Sequence, residues 1–217
     1  MAKKDTPESE PKPQQAKGGH NRAIVLVLAI VVITSVAILA FRTHFGGGEQ
    51  GVVQTTPAIG GPFTLTDHTG KTVTDADFRG KYMLIYFGYT YCPDICPTSL
   101  SRNSDALDIL GDAAKDVIPI LISIDHERDT PEYLNEYRDF FHPRTVAMVG
   151  TAEQIAAVAK AYRVYYAKVQ EEGAEADEYL MDHTAITYLM GPDGKFVTHF
   201  SHQVGAEKMA ARLREYL

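Results

Sequence analysis

The side chains able to do chemistry are concentrated at one point in this chain. Its two cysteines, Cys92 and Cys96, stand in the run Gly88-Tyr-Thr-Tyr-Cys92-Pro-Asp-Ile-Cys96-Pro97. A thiolate is both a nucleophile and a soft metal ligand, so the pair admits disulfide exchange or metal binding. Disulfide oxidoreductases usually place two residues between their cysteines; here there are three. The extra residue still permits a disulfide, redox-active or merely structural. It also widens the mouth of the pair, which suits two sulfurs converging on one ion. Soft thiolates select Cu(I), Zn or Fe–S. Two cysteines exclude a four-thiolate zinc or cluster site within one chain. Two thiolates plus an imidazole remain, and low coordination suits copper.

Eight histidines compete for the third position. His20 and His44 lie toward the N-terminus, His68 in a hairpin turn, His142 after a helix, and His199 and His202 flank the last strand. His126, just past one buried strand, and His183, just before another, both remain; spacing does not choose between them. Asp94, between the cysteines, disfavours thiolates by like charge but attracts a cation. Tyr89 and Tyr91 are placed to shield the site from water or to pack at its rim.

The elements that must position these groups follow from apolar patterning. Residues 63–74 read as a hairpin turning at Gly70. Residues 81–88 (KYMLIYFG) and 117–124 (VIPILISI) are continuous apolar runs of buried strands. The cysteines follow the first of these directly. Pro97 is suited to the first position of a helix to Leu110, stopped by Gly111. A partial positive charge at that helix N-terminus favours thiolate over thiol. Asp129 or Thr130 caps a second helix carrying Leu134, Tyr137, Phe140 and Phe141. Residues 145–149 form a short strand, 151–162 an alanine-rich helix and 164–169 another strand. The acid-rich stretch 170–180 reads as an exposed loop. Strands 184–190 and 195–200 join through Gly191-Pro-Asp-Gly194, and an amphipathic helix fills 205–217. Strands alternating with helices predict an α/β domain with a largely parallel sheet covered on both faces. A thiol pair at a strand end, opening a helix, makes this a thioredoxin-like arrangement with an N-terminal β-hairpin.

The 217 residues are 45% hydrophobic and 23% charged, a globular balance that excludes general disorder. A net charge of −7 argues against nucleic acid as a partner. Residues 23–41 (AIVLVLAIVVITSVAILAF) are broken only by Thr34 and Ser35. Nineteen residues at 1.5 Å each make about 28 Å, one hydrocarbon thickness. Five basic residues precede the span, and Arg42 is the one basic residue close behind it. The positive-inside rule therefore puts the N-terminus in the cytoplasm. The run is long for a signal-peptide core and lacks a small-residue cleavage site, so an uncleaved anchor is expected. Three acids in residues 1–22 are unlike a mitochondrial presequence, which points to a bacterial cytoplasmic membrane. The expected organisation is a cytoplasmic tail (1–22), a transmembrane anchor (23–41), a Gly-rich flexible linker (42–60) and a periplasmic thioredoxin-like domain (61–217).

At this level of detail the chain resembles the Sco/SenC family. The resemblance rests on Gly-Pro-Phe at 61–63, Asp77-Phe-Arg-Gly-Lys81, and Tyr86-Phe-Gly-Tyr-Thr-Tyr-Cys-Pro-Asp-Ile-Cys-Pro97. It continues through Ser123-Ile-Asp125, Glu127-Arg-Asp-Thr-Pro131, Ala161-Tyr-Arg-Val-Tyr-Tyr166, Asp182-His183-Thr184 and Gly191-Pro-Asp-Gly194. It implies a thioredoxin-like fold that binds copper, as Cu(I) or Cu(II), through Cys92, Cys96 and His183. It also implies copper delivery during assembly of the dinuclear copper centre of cytochrome c oxidase subunit II. Periplasmic copper chaperones or thiol–disulfide reductants are then further partners. The rival reading is a thiol–disulfide oxidoreductase, with Cys92 attacking and Cys96 resolving, that reduces the cysteines of the same acceptor. One departure stands out: where the family commonly has Asp-Pro-Glu-Arg-Asp, this chain has Asp125-His126-Glu127-Arg128-Asp129. His126 is thus either a solvated loop residue or an addition to the metal site.

Overall fold

The computed structural model describes residues 19–45, 58–175 and 177–217. The chain divides into two units, residues 1–55 and 56–217. The first contains the helix α1 (Gly19–Phe45), whose segment Ile24–Phe41 has a mean hydropathy of 3.2 and wholly exposed side chains. It is long and apolar enough to cross a membrane. Its two interior hydroxyls are satisfied within the helix: Thr34 Oγ1 donates to Ile30 O (2.9 Å) and Ser35 Oγ to Val31 O (2.7 Å). The helix extends four residues beyond the expected span at each end. Most of the expected tail and linker lies outside the described residues.

The second unit is built on a seven-stranded sheet. Its strands are β1 (Thr64–Asp67), β2 (Thr72–Thr74), β3 (Tyr82–Gly88), β4 (Val117–Ser123), β5 (Val146–Val149), β8 (Ile186–Met190) and β9 (Phe196–Ser201), in the order β2-β1-β5-β4-β3-β8-β9. The sheet is less parallel than alternation of strands and helices predicts. Only β3, β4 and β5 run parallel to one another. The hairpins β1–β2 and β8–β9 close the two sides with antiparallel pairings, because chain that returns through a tight turn can only pair antiparallel.

Side-chain alternation along β3 divides the core between the two sheet faces. Ile85 and Phe87 join one cluster with Ile120, Leu134, Ile155 and Tyr162. Leu84 points into the other with Leu107, Leu110, Met209 and Leu213. Complete burial of each such side chain contributes about 1.5–3 kcal/mol, which outweighs the ~1–2 kcal/mol needed to order its backbone. Pro119 is tolerated inside β4 because that position lies outside the stretch where β4 pairs with β5.

The helices of this unit are α2 (Ile95–Leu110), α3 (Pro131–Arg138), α4 (Ala152–Tyr162) and α5 (Ala206–Arg214). Thr130, not Asp129, caps α3, accepting from the Tyr133 amide. Because α3 ends at Arg138, Phe140 is left 81% exposed rather than joining the core face. The Thr151 and Gln154 side chains close a reciprocal capping box on α4.

The acid-rich stretch departs most from expectation. Most of it is exposed, but Tyr179 is buried. Leu180 opens a strand, β7 (Leu180–His183), that pairs antiparallel with β6 (Tyr166–Val169). These two strands form a separate ribbon outside the main sheet.

Candidate metal centre

The centre is assembled where β3 ends. Gly88 must be a glycine: a Cβ there would lie 3.0 Å from Cys96 Sγ and 2.8 Å from the Tyr86 ring. The chain then loops through residues 89–94 and enters α2 at Ile95. The helix begins two residues earlier than Pro97 predicts, so Cys96 lies within its first turn. Pro97 still costs no hydrogen bond, because amides of the first turn have no intrahelical acceptor. The free amide of Cys96 donates to Cys92 Sγ at 3.3 Å, so that sulfur acts as a cap for the helix.

The two thiols differ sharply. Cys92 is half-buried and Cys96 fully buried, and both are reduced. Hydrogen bonding with Cys96, joined by that with His183 and with the amides of Asp94 and Cys96, outweighs burial and holds the Cys92 thiol down at about 3. The same contact, with burial, pushes the Cys96 thiol far up. The reduced pair therefore shares one proton, which resides on Cys96.

His183, at the end of β7, completes the group. Its Nε2 lies 3.4 Å from Cys96 Sγ, and its Nδ1 faces the Thr184 carbonyl at 3.3 Å. A carbonyl only accepts, so Nδ1 carries the proton and Nε2 presents its lone pair to the sulfurs. The rings of Tyr86 and Tyr89 meet the imidazole edge-on, with centroids 6.0 and 6.1 Å away. Ligand atoms of Cys92, Cys96 and His183 all lie within 4.8 Å of one another. Two soft sulfurs and one imidazole lone pair are a donor set that fits a soft or borderline metal ion.

Other predicted candidates fall elsewhere. His126 is exposed on the turn after β4 and is not brought to the cysteines. Asp94 is exposed at the α2 N-terminus, where it accepts from Thr98 Oγ1. Tyr89 is buried and its hydroxyl accepts from the Met181 amide at 3.1 Å, whereas Tyr91 is half-exposed. Among the described residues, Cys92, Cys96 and His183 are the group of His, Cys, Asp or Glu side chains spaced to hold an ion.

A sequence profile of the SCO1/SenC family matches residues 52–217, which takes in the whole of this geometry. The chain belongs to the SCO1/SenC family. Protein SenC of Rhodobacter capsulatus is 40% identical over 193 residues, covering 87% of this chain and 86% of that one. Protein sco1 of Schizosaccharomyces pombe is 38% identical over 200 residues, covering 88% and 76%. Among solved structures, Bradyrhizobium japonicum ScoI with copper bound superposes with a TM-score of 0.67 at 48% identity, covering 74% of this chain and all of that one. The thioredoxin-like fold expected of a SCO1/SenC protein is thus present, and the segment before residue 52 lies outside the family match.

Three residues of this SCO1/SenC chain bear on the site without having been singled out from the sequence. Asp129 is buried and holds the cysteine loop: its carboxylate accepts from Thr90 N, Thr90 Oγ1 and Ser123 Oγ. Burial pushes its carboxyl above the usual range, and these donors temper the rise. Arg128 and Tyr179 pack on each other, the guanidinium 3.5 Å above the ring. The motif Glu127-Arg-Asp-Thr-Pro131 had carried Arg128 and Asp129 as part of the resemblance, Asp129 also as a helix-cap candidate, and Tyr179 lay in the stretch expected to be an exposed loop.

Proposed function

We propose that this protein is a membrane-anchored copper carrier that loads the dinuclear copper centre of cytochrome c oxidase subunit II. The observation that supports it is the convergence of Cys92 Sγ, Cys96 Sγ and His183 Nε2, with the imidazole tautomer already set for ligation. Copper is the ion bound in the structure of Bradyrhizobium japonicum ScoI. Two thiolates hold Cu(I), and His183 adds the nitrogen donor that Cu(II) prefers. The difference in exposure orders the exchange. An acceptor thiolate replaces half-exposed Cys92 first, while buried Cys96, aided by partly exposed His183, retains the ion until a second acceptor ligand arrives. The basic N-terminal tail supports a head on the periplasmic side of a bacterial cytoplasmic membrane.

Copper titration of the reduced chain tests this reading. The wild type takes up one equivalent of Cu(I); Cys92→Ala and Cys96→Ala lose it, and His183→Ala weakens it less. Normal copper content in Cys92→Ala would refute the role.

The thiol asymmetry also supports a second activity. A Cys92 thiolate attacks an acceptor disulfide, forming a mixed disulfide and releasing one acceptor thiolate. Cys96 then gives up its proton and closes a Cys92–Cys96 disulfide, freeing the second acceptor thiolate. Two electrons pass to the acceptor. This path does not use His183 as a ligand, so His183→Ala separates the two: retained maturation of the acceptor favours reduction, and lost maturation favours copper transfer.

A further inference from the structure

His183 is carried by a ribbon that shares no strand pairing with the main sheet. On its C-terminal side it is tied to the sheet by β8, which begins at Ile186. Within the ribbon it pairs with Tyr166 of β6, and on its N-terminal side the ribbon is held to the rest of the domain through residues 177–181. One side chain dominates there. Arg128 NH1 donates to both Asp177 O and Tyr179 O, each at 3.0 Å. Its Nε donates to Asp125 Oδ2 at 2.6 Å. The other oxygen of Asp125 accepts from the Tyr179 hydroxyl at 2.7 Å. Carboxylate, guanidinium and phenol therefore form a closed ring of contacts between the end of β4 and the start of β7.

The same guanidinium reaches the cysteine loop. It lies 4.6 Å from the ring centroid of Tyr91, the residue before Cys92, and 5.9 Å from that of Tyr89. Tyr89 in turn accepts the Met181 amide within β7. The turn bearing Arg128 is registered to β3 through the Ile124 amide, which donates to Gly88 O at 2.9 Å. Arg128 is largely buried, and its second terminal nitrogen makes a 2.6 Å ion-pair contact with Asp125 Oδ2.

We propose that Arg128 is a positioning residue of the copper site: it clamps the segment leading to His183 and the loop leading to Cys92 onto one platform, and so sets the spacing of imidazole and sulfur. It touches none of the three ligands. A planar fork is needed, because two carbonyls, one carboxylate and two ring faces are engaged from one group; a lysine ammonium offers a single point and no plane. Loosening the clamp frees His183, whereas Cys96 stays on its helix and its amide still holds the Cys92 sulfur. Cu(I), content with two thiolates, is then little affected, whereas Cu(II), which relies on the nitrogen donor, is weakened. The inference rests on the copper reading above for its second half only.

The test uses the full-length chain in detergent, as wild type, Arg128→Lys, Arg128→Met and Tyr179→Phe. In the metal-free reduced protein, hydrogen exchange at the Met181 amide reports the clamp directly. With copper, the readouts are Cu(I) affinity, Cu(II) affinity and nitrogen coupling in the Cu(II) paramagnetic resonance spectrum. Both Arg128 variants are expected to exchange Met181 faster and to bind Cu(II) about 10-fold more weakly with altered nitrogen coupling. Their Cu(I) affinity stays unchanged, lysine gives no rescue, and Tyr179→Phe shows a smaller effect in the same direction. Wild-type Met181 protection and an unaltered Cu(II) spectrum in Arg128→Lys would overturn the proposal. So would equal loss of Cu(I) and Cu(II) binding together with a collapsed thermal transition in all three variants, which would mark Arg128 as a support of the fold at large. If the wild type itself binds no copper, the copper reading fails, and Met181 exchange still decides whether the clamp exists.

Discussion

Cys92 and Cys96 lie four residues apart yet are driven to opposite protonation states, because the hydrogen bond between them lowers the one and raises the other, and burial adds to the rise at Cys96. This asymmetry fixes how many protons metal loading displaces. At neutral pH Cys92 is already a thiolate, with its pKa held at about 3, and only Cys96 has a proton to lose. Cu(I) binding should therefore release about one proton at pH 7, rising toward two only as pH falls to the Cys92 pKa. Calorimetry in buffers of different ionisation enthalpy measures this number. Release of two protons at pH 7 would show that Cys92 is an ordinary thiol in the reduced protein.

The turn from β3 into α2 is the element with the least room for change. Gly88→Ala would push a methyl group against Cys96 Sγ and the Tyr86 ring, both inside 3.1 Å. Overpacking of this kind costs about 1–3 kcal/mol. Urea unfolding should show that loss, and Cu(I) uptake should fall with it because the displaced atom is a ligand. This turn was legible in the sequence: a continuous apolar run, a glycine and a thiol pair before a helix identify strand, loop and helix from local pattern. The two-residue error at the start of α2 arose because Cys92 sulfur, not a conventional capping side chain, serves the first turn. The ribbon β6–β7 was not legible in the same way. Tyr179 sits in an acid-rich stretch whose composition signals solvent, and it is buried by Asp125 and Arg128, about fifty residues distant in sequence. His183 could not be preferred over His126 by spacing for the same reason. Both flank buried strands, and only the pairing of Tyr166 with His183 across the ribbon turns one of them toward the cysteines.

At the scale of the whole molecule, the apolar helix and the head domain belong to separate units. Two core clusters lie within residues 56–217, one on each face of the sheet. The head produced alone should then unfold in one cooperative transition and bind Cu(I) with the affinity of the full chain. Copper analysis of the two side by side checks this, and a weaker isolated head would mean that the anchor unit contributes to the site. In cells the anchor should matter for delivery: a head freed from the membrane should still load copper but mature its acceptor less well, since tethering raises the local concentration of the two partners.

The edge-on rings around His183 have an optical consequence. The chain has twelve tyrosines and no tryptophan, so its ultraviolet emission is phenolic throughout. Tyr86 and Tyr89 both flank the imidazole. An open-shell Cu(II) ion seated on that imidazole would darken these two rings selectively, whereas closed-shell Cu(I) would leave them bright. Emission from the two rings should thus distinguish the valence of a bound copper ion without a label.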